Sequence, residues 1–269
     1  MEYLRASGID EAAAAVAAGA KPLAGGTVLV PNLAANGGRG QMLVDIGRLK
    51  ELARIWSDDT ALYLGATSSL ARIAVDAAIR SNFQALAEAA AAVGNPQVRR
   101  AATIGGNVAL GSATADLVPA LLVLDAQVIC HEKLAKQEKP LAGFDATGRL
   151  ITSLRLPLIQ KRRSAFHKFA WRGASGITIV NVAIAVCLNE SVISQARVVA
   201  GGLTQPPQRL PDAEATLNGR EITPDVVTKT AAAAAAEAKC ELNGPPGEHY
   251  RRRILEYGTR EILRRLMEE

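Results

Sequence analysis

The sequence predicts an α+β chain, and three observations carry that prediction. Helical and strand-like segments alternate through residues 1–160, three strand-like segments then follow one another without a helix between them, and two helices close the chain. From Ile9 to Ala18 the run is nearly pure alanine, a helix that Gly19 ends, and Lys21 to Ala24 gives a short strand entering Gly25 and Gly26. Met42 to Ile46 and Ala61 to Ala66 are apolar strand-like runs, with Asp58 and Asp59 marking the turn before the second. Leu70 to Ile79 and Phe83 to Val93 carry helical spacing, and Gly94-Asn95-Pro96 breaks the second helix. The stretch from Gln97 to Val128 is apolar at both ends and small and polar in its middle, which predicts an irregular loop. Asp116 is placed to cap a short helix through Leu124, and Gln127 to His131 reads as a strand. Beyond Pro157, the runs Ala165 to Trp171, Val182 to Leu188 and Val192 to Ala200 read as an antiparallel meander, the last two joined by a turn at Asn189-Glu190-Ser191. Thr223 before Pro224 is an N-cap and first-turn signature for the alanine-rich helix through Ala238, and Glu248 to Glu269 makes the final helix. The change of texture puts a domain boundary near Leu158 to Arg163.

Composition narrows the function classes. With 269 residues, 49% hydrophobic and 21% charged, the chain has material for a large core and is neither disordered nor fibrous. No segment reaches the ~18 consecutive apolar residues of a membrane helix, and Met1 to Asp10 lacks the basic-then-apolar pattern of a secretory signal, so a soluble cytoplasmic protein without a membrane span is expected. Cys130, Cys187 and Cys240 are too few and too scattered for a disulfide framework or metal cluster and read as reduced, mostly packed thiols; His131, His167 and His249 show no metal-binding spacing. The net charge of +5 gathers partly in Lys161-Arg162-Arg163 and in Arg251-Arg252-Arg253, followed by Arg260, Arg264 and Arg265. At 4% aromatic residues there is little to stack bases on, so these clusters read as a solvated face or subunit interface and no nucleic-acid partner is expected.

Two glycine pairs stand out, Ala24-Gly25-Gly26-Thr27 and Thr103-Ile104-Gly105-Gly106-Asn107. Glycine permits positive φ and, lacking Cβ, lets backbone N–H groups converge on one anion, so one pyrophosphate could sit between two such loops; each pair also suits an ordinary turn. Neither pair is the G-x-G-x-x-G fingerprint, and no phosphate-binding G-x-x-x-x-G-K-[ST] loop, G-x-S-x-G elbow or nucleophile beside a base occurs. The chain therefore offers no catalytic acid, base or covalent residue. Read alone, Asp116 is a helix cap and Lys168 an exposed strand lysine.

The Ala24 to Thr27 loop followed by Leu29 and Pro31, the QVRRAATIGGNVA stretch from Gln97 to Ala109, the segment Asp116-Leu117-Val118-Pro119 and the strand Lys168 to Arg172 together resemble the FAD-binding medium subunit of the molybdenum hydroxylases, the xanthine dehydrogenase and carbon monoxide dehydrogenase type. The match runs in order across nearly the whole chain, and its most specific part is TIGGN with an aspartate nine residues after the asparagine. The resemblance implies an α+β flavin domain of vanillyl-alcohol-oxidase (PCMH) type over residues 1–160, in subdomains of about 1–55 and 56–160, then a C-terminal antiparallel sheet with helices over 161–269. It implies that Leu23, Ala24, Gly25, Gly26, Thr27, Val28 and Leu29 wrap the FAD pyrophosphate, that Gly105, Gly106 and Asn107 form the facing loop, and that Thr103 and Asp116 hydrogen-bond the cofactor. Ile151, or its neighbour Leu150, is implied as an apolar contact and Lys168 as a cation close to the flavin, raising its potential. Val28 departs from the acidic residue many relatives carry, Val93 falls where some place an aromatic against the adenine, and the segment from Cys130 to Leu150 is short.

The family divides its labour, and this sequence agrees by omission. Three scattered cysteines cannot ligate a 2Fe–2S cluster, which needs four thiolates, so an iron–sulfur small subunit and a large subunit holding the molybdenum cofactor are the implied partners, with NAD⁺ or another acceptor taking the electrons. Two other readings stay open. One is a self-contained FAD-dependent oxidase, for which no substrate-handling residues are found; the other is a scaffold subunit that has lost FAD, suggested by Val28 and the short segment.

Overall fold

A computed structural model of the chain describes residues 2–35, 37, 40–132, 135–171, 173, 176–242 and 244–268. In chain order the elements are β1 (Glu2–Arg5), α1 (Ile9–Ala17), β2 (Lys21–Leu23), α2 (Leu29–Ala35), β3 (Met42–Asp45), a 3-10 turn (Lys50–Ala53), β4 (Ile55–Ser57) and β5 (Ala61–Gly65). Five short helices follow, α3 (Leu70–Val75), α4 (Ala77–Asn82), α5 (Gln84–Ala91), α6 (Pro96–Ala101) and α7 (Ile104–Ala109), then α8 (Leu117–Val123). After them come β6 (Gln127–Glu132), β7 (Ala135–Pro140), β8 (Arg149–Pro157), β9 (Arg162–Ala170), β10 (Thr178–Asn189), β11 (Val192–Gly201) and β12 (Gln208–Arg209), and the chain closes with α9 (Pro211–Leu217), α10 (Pro224–Glu237) and α11 (Glu248–Glu268). This is the α+β mixture the sequence predicts. The elements form two compact units that interleave along the chain: Met1–Arg72 with Pro96–Leu110 and Asp125–Pro157, and Ile73–Asn95 with Gly111–Leu124 and Leu158–Glu269.

The first unit holds two sheets. A three-stranded parallel sheet runs β1-β3-β2, which requires the crossover that α1 supplies between β1 and β2. Ala12, Ala13, Ala15 and Val16 make the buried face of α1, and they share a core with Val44, Ile46, Leu52 and Leu150. The second sheet is antiparallel, ordered β4-β5-β8-β6-β7. Its central strand β8 is buried on both sides from Leu150 to Leu154, whereas β7 at the edge is exposed along Ala135 to Glu138 and carries Lys136, Glu138 and Lys139, charges that discourage pairing with another chain.

The second unit is built on the meander, an antiparallel sheet ordered β12-β11-β10-β9. Residues Thr178 to Cys187 of β10 are all buried, so both faces of this strand are covered, and the covering helices are α5, α8 and α11. Alongside edge strand β9 lies α5, where the Glu88 carboxylate accepts the Phe166 N–H at 2.8 Å and also pairs with Arg265. The basic residues of α11 are not a free cationic face. Arg252, Arg260 and Arg264 pair with Glu248, Glu256 and Glu261 on their own helix, and Arg251 is buried, donating to the carbonyls of Pro246, Ile179 and Gly202.

Two helical expectations are corrected. The helix expected over Leu70 to Ile79 breaks at Asp76, whose carboxylate accepts the N–H groups of Ala78 and Ile79 and starts a new helix, α4. The irregular loop expected within Gln97 to Val128 is largely helical: Pro96 opens α6 at a position where its missing N–H costs nothing, and Thr103 caps α7. Strands β1, β4, β7, β8 and β12 and helices α2 and α9 carried no clear sequence signal, being short or, in β8, lacking alternation.

Candidate functional site

The first glycine loop grows out of β2. Leu23 pairs with Asp45 on β3, and its carbonyl accepts the Ile46 N–H at 2.9 Å, which fixes where the chain leaves the sheet. A Cβ on Gly25 would stand 1.9 Å from the Ala101 carbonyl oxygen, so only glycine lets this turn lie against the end of α6. Gly26 follows at φ +65, and its carbonyl accepts the Val30 N–H that begins α2. Among the described residues the N–H groups of Gly25, Gly26 and Thr27 meet no backbone acceptor. Leu23 to Thr27 and Leu29 are half-buried and Val28 is exposed, so these donors line a loop that a ligand can reach.

The second pair is brought to the same unit but uses its backbone differently. Gly105 N–H donates to Ala66 O at 2.8 Å, Gly106 N–H to Thr103 Oγ1 at 3.2 Å and Asn107 N–H to Thr103 O at 3.0 Å. These amides belong to the first turn of α7 and its seat on β5; a Cβ on Gly105 would come within 2.7 Å of Ala66. The anion nest that the Gly-Gly pattern suggests here is therefore absent. What remains available is a side chain and a space: Asn107 Oδ1 is buried without a partner, and a Cβ on Gly106 would meet only Thr103 Oγ1, at 3.0 Å. An unpaired buried carboxamide oxygen is costly unless a donor reaches it. Thr103, itself buried, positions this turn through its cap bond and a bridge to Ser69. Ile151 is buried on β8 opposite Cys130, and Leu150 lies in the core with α1.

In the second unit the structure brings Asp116 and Lys168 together. Lys168 Nζ stands 2.6 Å from Asp116 Oδ2 and donates to Ala92 O at 3.0 Å, with both side chains almost wholly buried. Asp116 Oδ1 accepts the Thr178 hydroxyl at 2.6 Å and the Asn181 amide at 3.0 Å. Asp116 thus precedes α8 without capping it, and Lys168 is a buried lysine rather than an exposed one, which corrects both single-residue readings. Thr178 and Asn181 were missed because no local pattern marks them; their role depends on a strand 62 and 65 residues further along the chain.

The first unit's donor set fits a dinucleotide: free amides on a left-handed glycine turn and the Thr27 hydroxyl for a pyrophosphate, and the orphaned Asn107 oxygen for a hydroxyl or amino donor. The description "FAD binding domain in molybdopterin dehydrogenase" matches residues 1–159, and "CO dehydrogenase flavoprotein C-terminal domain" matches 164–266. Among curated proteins, the nicotinate dehydrogenase FAD-subunit of Eubacterium barkeri is 30% identical over 221 residues, 77% of this chain and 75% of that protein. A 6-hydroxypseudooxynicotine dehydrogenase complex subunit alpha of Paenarthrobacter nicotinovorans is 34% identical over 218 residues, 76% of this chain and 73% of that protein. A solved carbon monoxide dehydrogenase from Hydrogenophaga pseudoflava has the same fold, with TM-score 0.90 at 23% identity over 98% of this chain and 96% of that one.

Proposed function

Because the chain belongs to the family of FAD-binding domains in molybdopterin dehydrogenases, as the FAD-binding medium subunit of a molybdenum hydroxylase-type complex, we propose that it takes electrons from 2Fe–2S clusters of a partner subunit and passes them to NAD⁺ or another acceptor. The observation that carries this reading is the Gly25–Thr27 turn, whose free amides and left-handed Gly26 are held against α6 in the same unit as the orphaned Asn107 oxygen. When bound, FAD supplies the exchange between single-electron and two-electron transfer that such a relay needs. The chain's own residues do the holding. Leu23 to Leu29 wrap the pyrophosphate with backbone N–H groups and the Thr27 hydroxyl, Gly106 leaves room for close approach, and Asn107 accepts from a cofactor donor. Asp116, Lys168 and Ile151 are assigned to the cofactor by the family resemblance. The oxidation of substrate is assigned to a molybdenum-bearing large subunit and the single-electron relay to an iron–sulfur small subunit, with residues 1–160 as the flavin domain and 161–269 as the C-terminal domain.

Purification of the chain and its Gly106→Val variant tests this. The wild-type chain is expected to be yellow with flavin absorption, and the variant, whose branched side chain fills the approach beside Thr103, colourless while keeping its circular dichroism. A folded Gly106→Val chain with unchanged flavin content would sink the assignment of this loop. Substrate-dependent bleaching of the isolated chain would replace the relay with a self-contained oxidase.

A further inference from the structure

Asp116 and Lys168 form an ion pair that is nearly closed off from water, their side chains 7% and 6% exposed, and three more groups are devoted to it. The carboxylate takes Thr178 and Asn181 on one oxygen and Lys168 on the other, while the ammonium takes Asp116 Oδ2 and Ala92 O. An ammonium has three N–H groups, so one of them meets no acceptor among the described residues. Buried ion pairs contribute little net stability, because desolvation offsets their attraction, so the investment asks for another explanation.

The strand that supplies the two neutral donors is shaped to do so. Residues three apart on a regular strand point to opposite faces, yet Thr178 and Asn181 both reach Asp116 Oδ1. Between Thr178 and Val180 the register of β10 against β9 slips, and this bulge turns Thr178 to the face that Asn181 shares with its cross-strand partner Lys168. Gly201 makes the room: a Cβ there would stand 2.4 Å from Asn181 Oδ1.

We propose that Thr178 and Asn181 are positioning residues that tune the flavin through Lys168, by drawing on the Asp116 charge so that the carboxylate holds the ammonium less tightly and leaves its third N–H and more of its field for the cofactor. This rests on the reading that Lys168 stands near the flavin. Losing a donor concentrates charge on Asp116, which then offsets more of the Lys168 field, so the reduced anionic flavin is less favoured and the midpoint potential falls.

The test measures the flavin midpoint potential and FAD content of purified Thr178→Val, Thr178→Ser, Thr178→Ala and Lys168→Met chains beside wild type. Lys168→Met is expected to lower the potential most, Thr178→Val and Thr178→Ala to lower it by less, and Thr178→Ser, which keeps the hydroxyl, to match wild type, all with FAD retained. Wild-type potentials in both hydroxyl-deleted variants, while Lys168→Met shifts, would overturn the positioning role and leave the Lys168 reading standing. An unshifted Lys168→Met would overturn both. Loss of FAD from Thr178→Val and Thr178→Ala alike would also overturn the proposal, because the hydroxyl would then be needed for binding rather than tuning.

Discussion

Glycines that look alike in the sequence have unlike duties here. At Gly25 a methyl group would sit 1.9 Å from Ala101 O, backbone against backbone, and at Gly105 2.7 Å from Ala66. Gly25→Ala and Gly105→Ala are therefore expected to destabilise the fold by about 1–3 kcal/mol or more, measured by urea unfolding, through forced backbone shifts. Gly106→Ala meets one hydroxyl and should unfold with nearly wild-type stability, its effect appearing in flavin content. Two acidic residues of the first unit are expected to contribute to the acid limb of stability. Hydrogen bonds from Arg149 and then Lys139 hold Glu132 at a pKa of about 2 against an ordinary 4.5, and Asp58 sits at about 2 against 3.8 because the Thr60 hydroxyl and amide and the Tyr63 hydroxyl donate to it. A lowered folded pKa means that their stabilisation is present above the ordinary carboxylate range and is lost as pH falls from there toward 2. Asp58 is exposed and Glu132 only half-buried, so solvent screens both and the effect is modest; a pH series of unfolding midpoints in which Glu132→Gln, Asp58→Asn and wild type lose stability identically below pH 4.5 would refute it.

At the scale of elements, α7 and α10 depend on threonine caps and edge strand β9 on one carboxylate. The Thr223 side chain accepts the Val226 N–H at the start of α10, and Thr223→Ala is expected to cost about 1 kcal/mol, with Thr223→Ser close to wild type in thermal unfolding. Thr103→Ala removes a cap of the same kind from α7, the bond from the Gly106 amide, and loosens the turn that carries Asn107, so it should lower flavin content as well as stability. Glu88 does more than pair with Arg265: it satisfies the Phe166 N–H of β9, a donor at the sheet edge. Glu88→Ala leaves that amide without its acceptor and should cost about 1–3 kcal/mol. Hydrogen exchange at Phe166 checks this directly; unchanged protection would show that Glu88 is dispensable there.

The chain forms two compact units from interleaved stretches, each with an apolar core. One gathers the alanine face of α1 with β3 and Leu150; the other gathers β10 and β11 with α9, α10 and α11. Among the described residues no helix is long and apolar enough to cross a membrane. As a medium subunit the chain is expected to copurify from its native source with iron and molybdenum in stoichiometric amount. A fully active, metal-free single chain would contradict that expectation.

The sequence alone determined what short-range chemistry decides. The alanine helix ending at Gly19, the Thr223-Pro224 start of α10 and the three strands of the meander follow from propensity, capping and alternation, all set within a few residues, and the glycine pairs with TIGGN and Asp116 were enough to mark the family and its cofactor. Only the tertiary structure decided what each of those residues does. Whether a glycine amide is free, as in the Gly25–Thr27 turn, or consumed, as at Gly105, depends on which backbone lies opposite it. Asp116 reads as a cap because a cap is a local event, yet its carboxylate is claimed by Lys168, Thr178 and Asn181, whose approach is set by strand pairing and a single bulge. Burial turns the Lys168 ammonium from a solvated charge into a paired one, and burial is a property of the packed chain that no window of sequence contains.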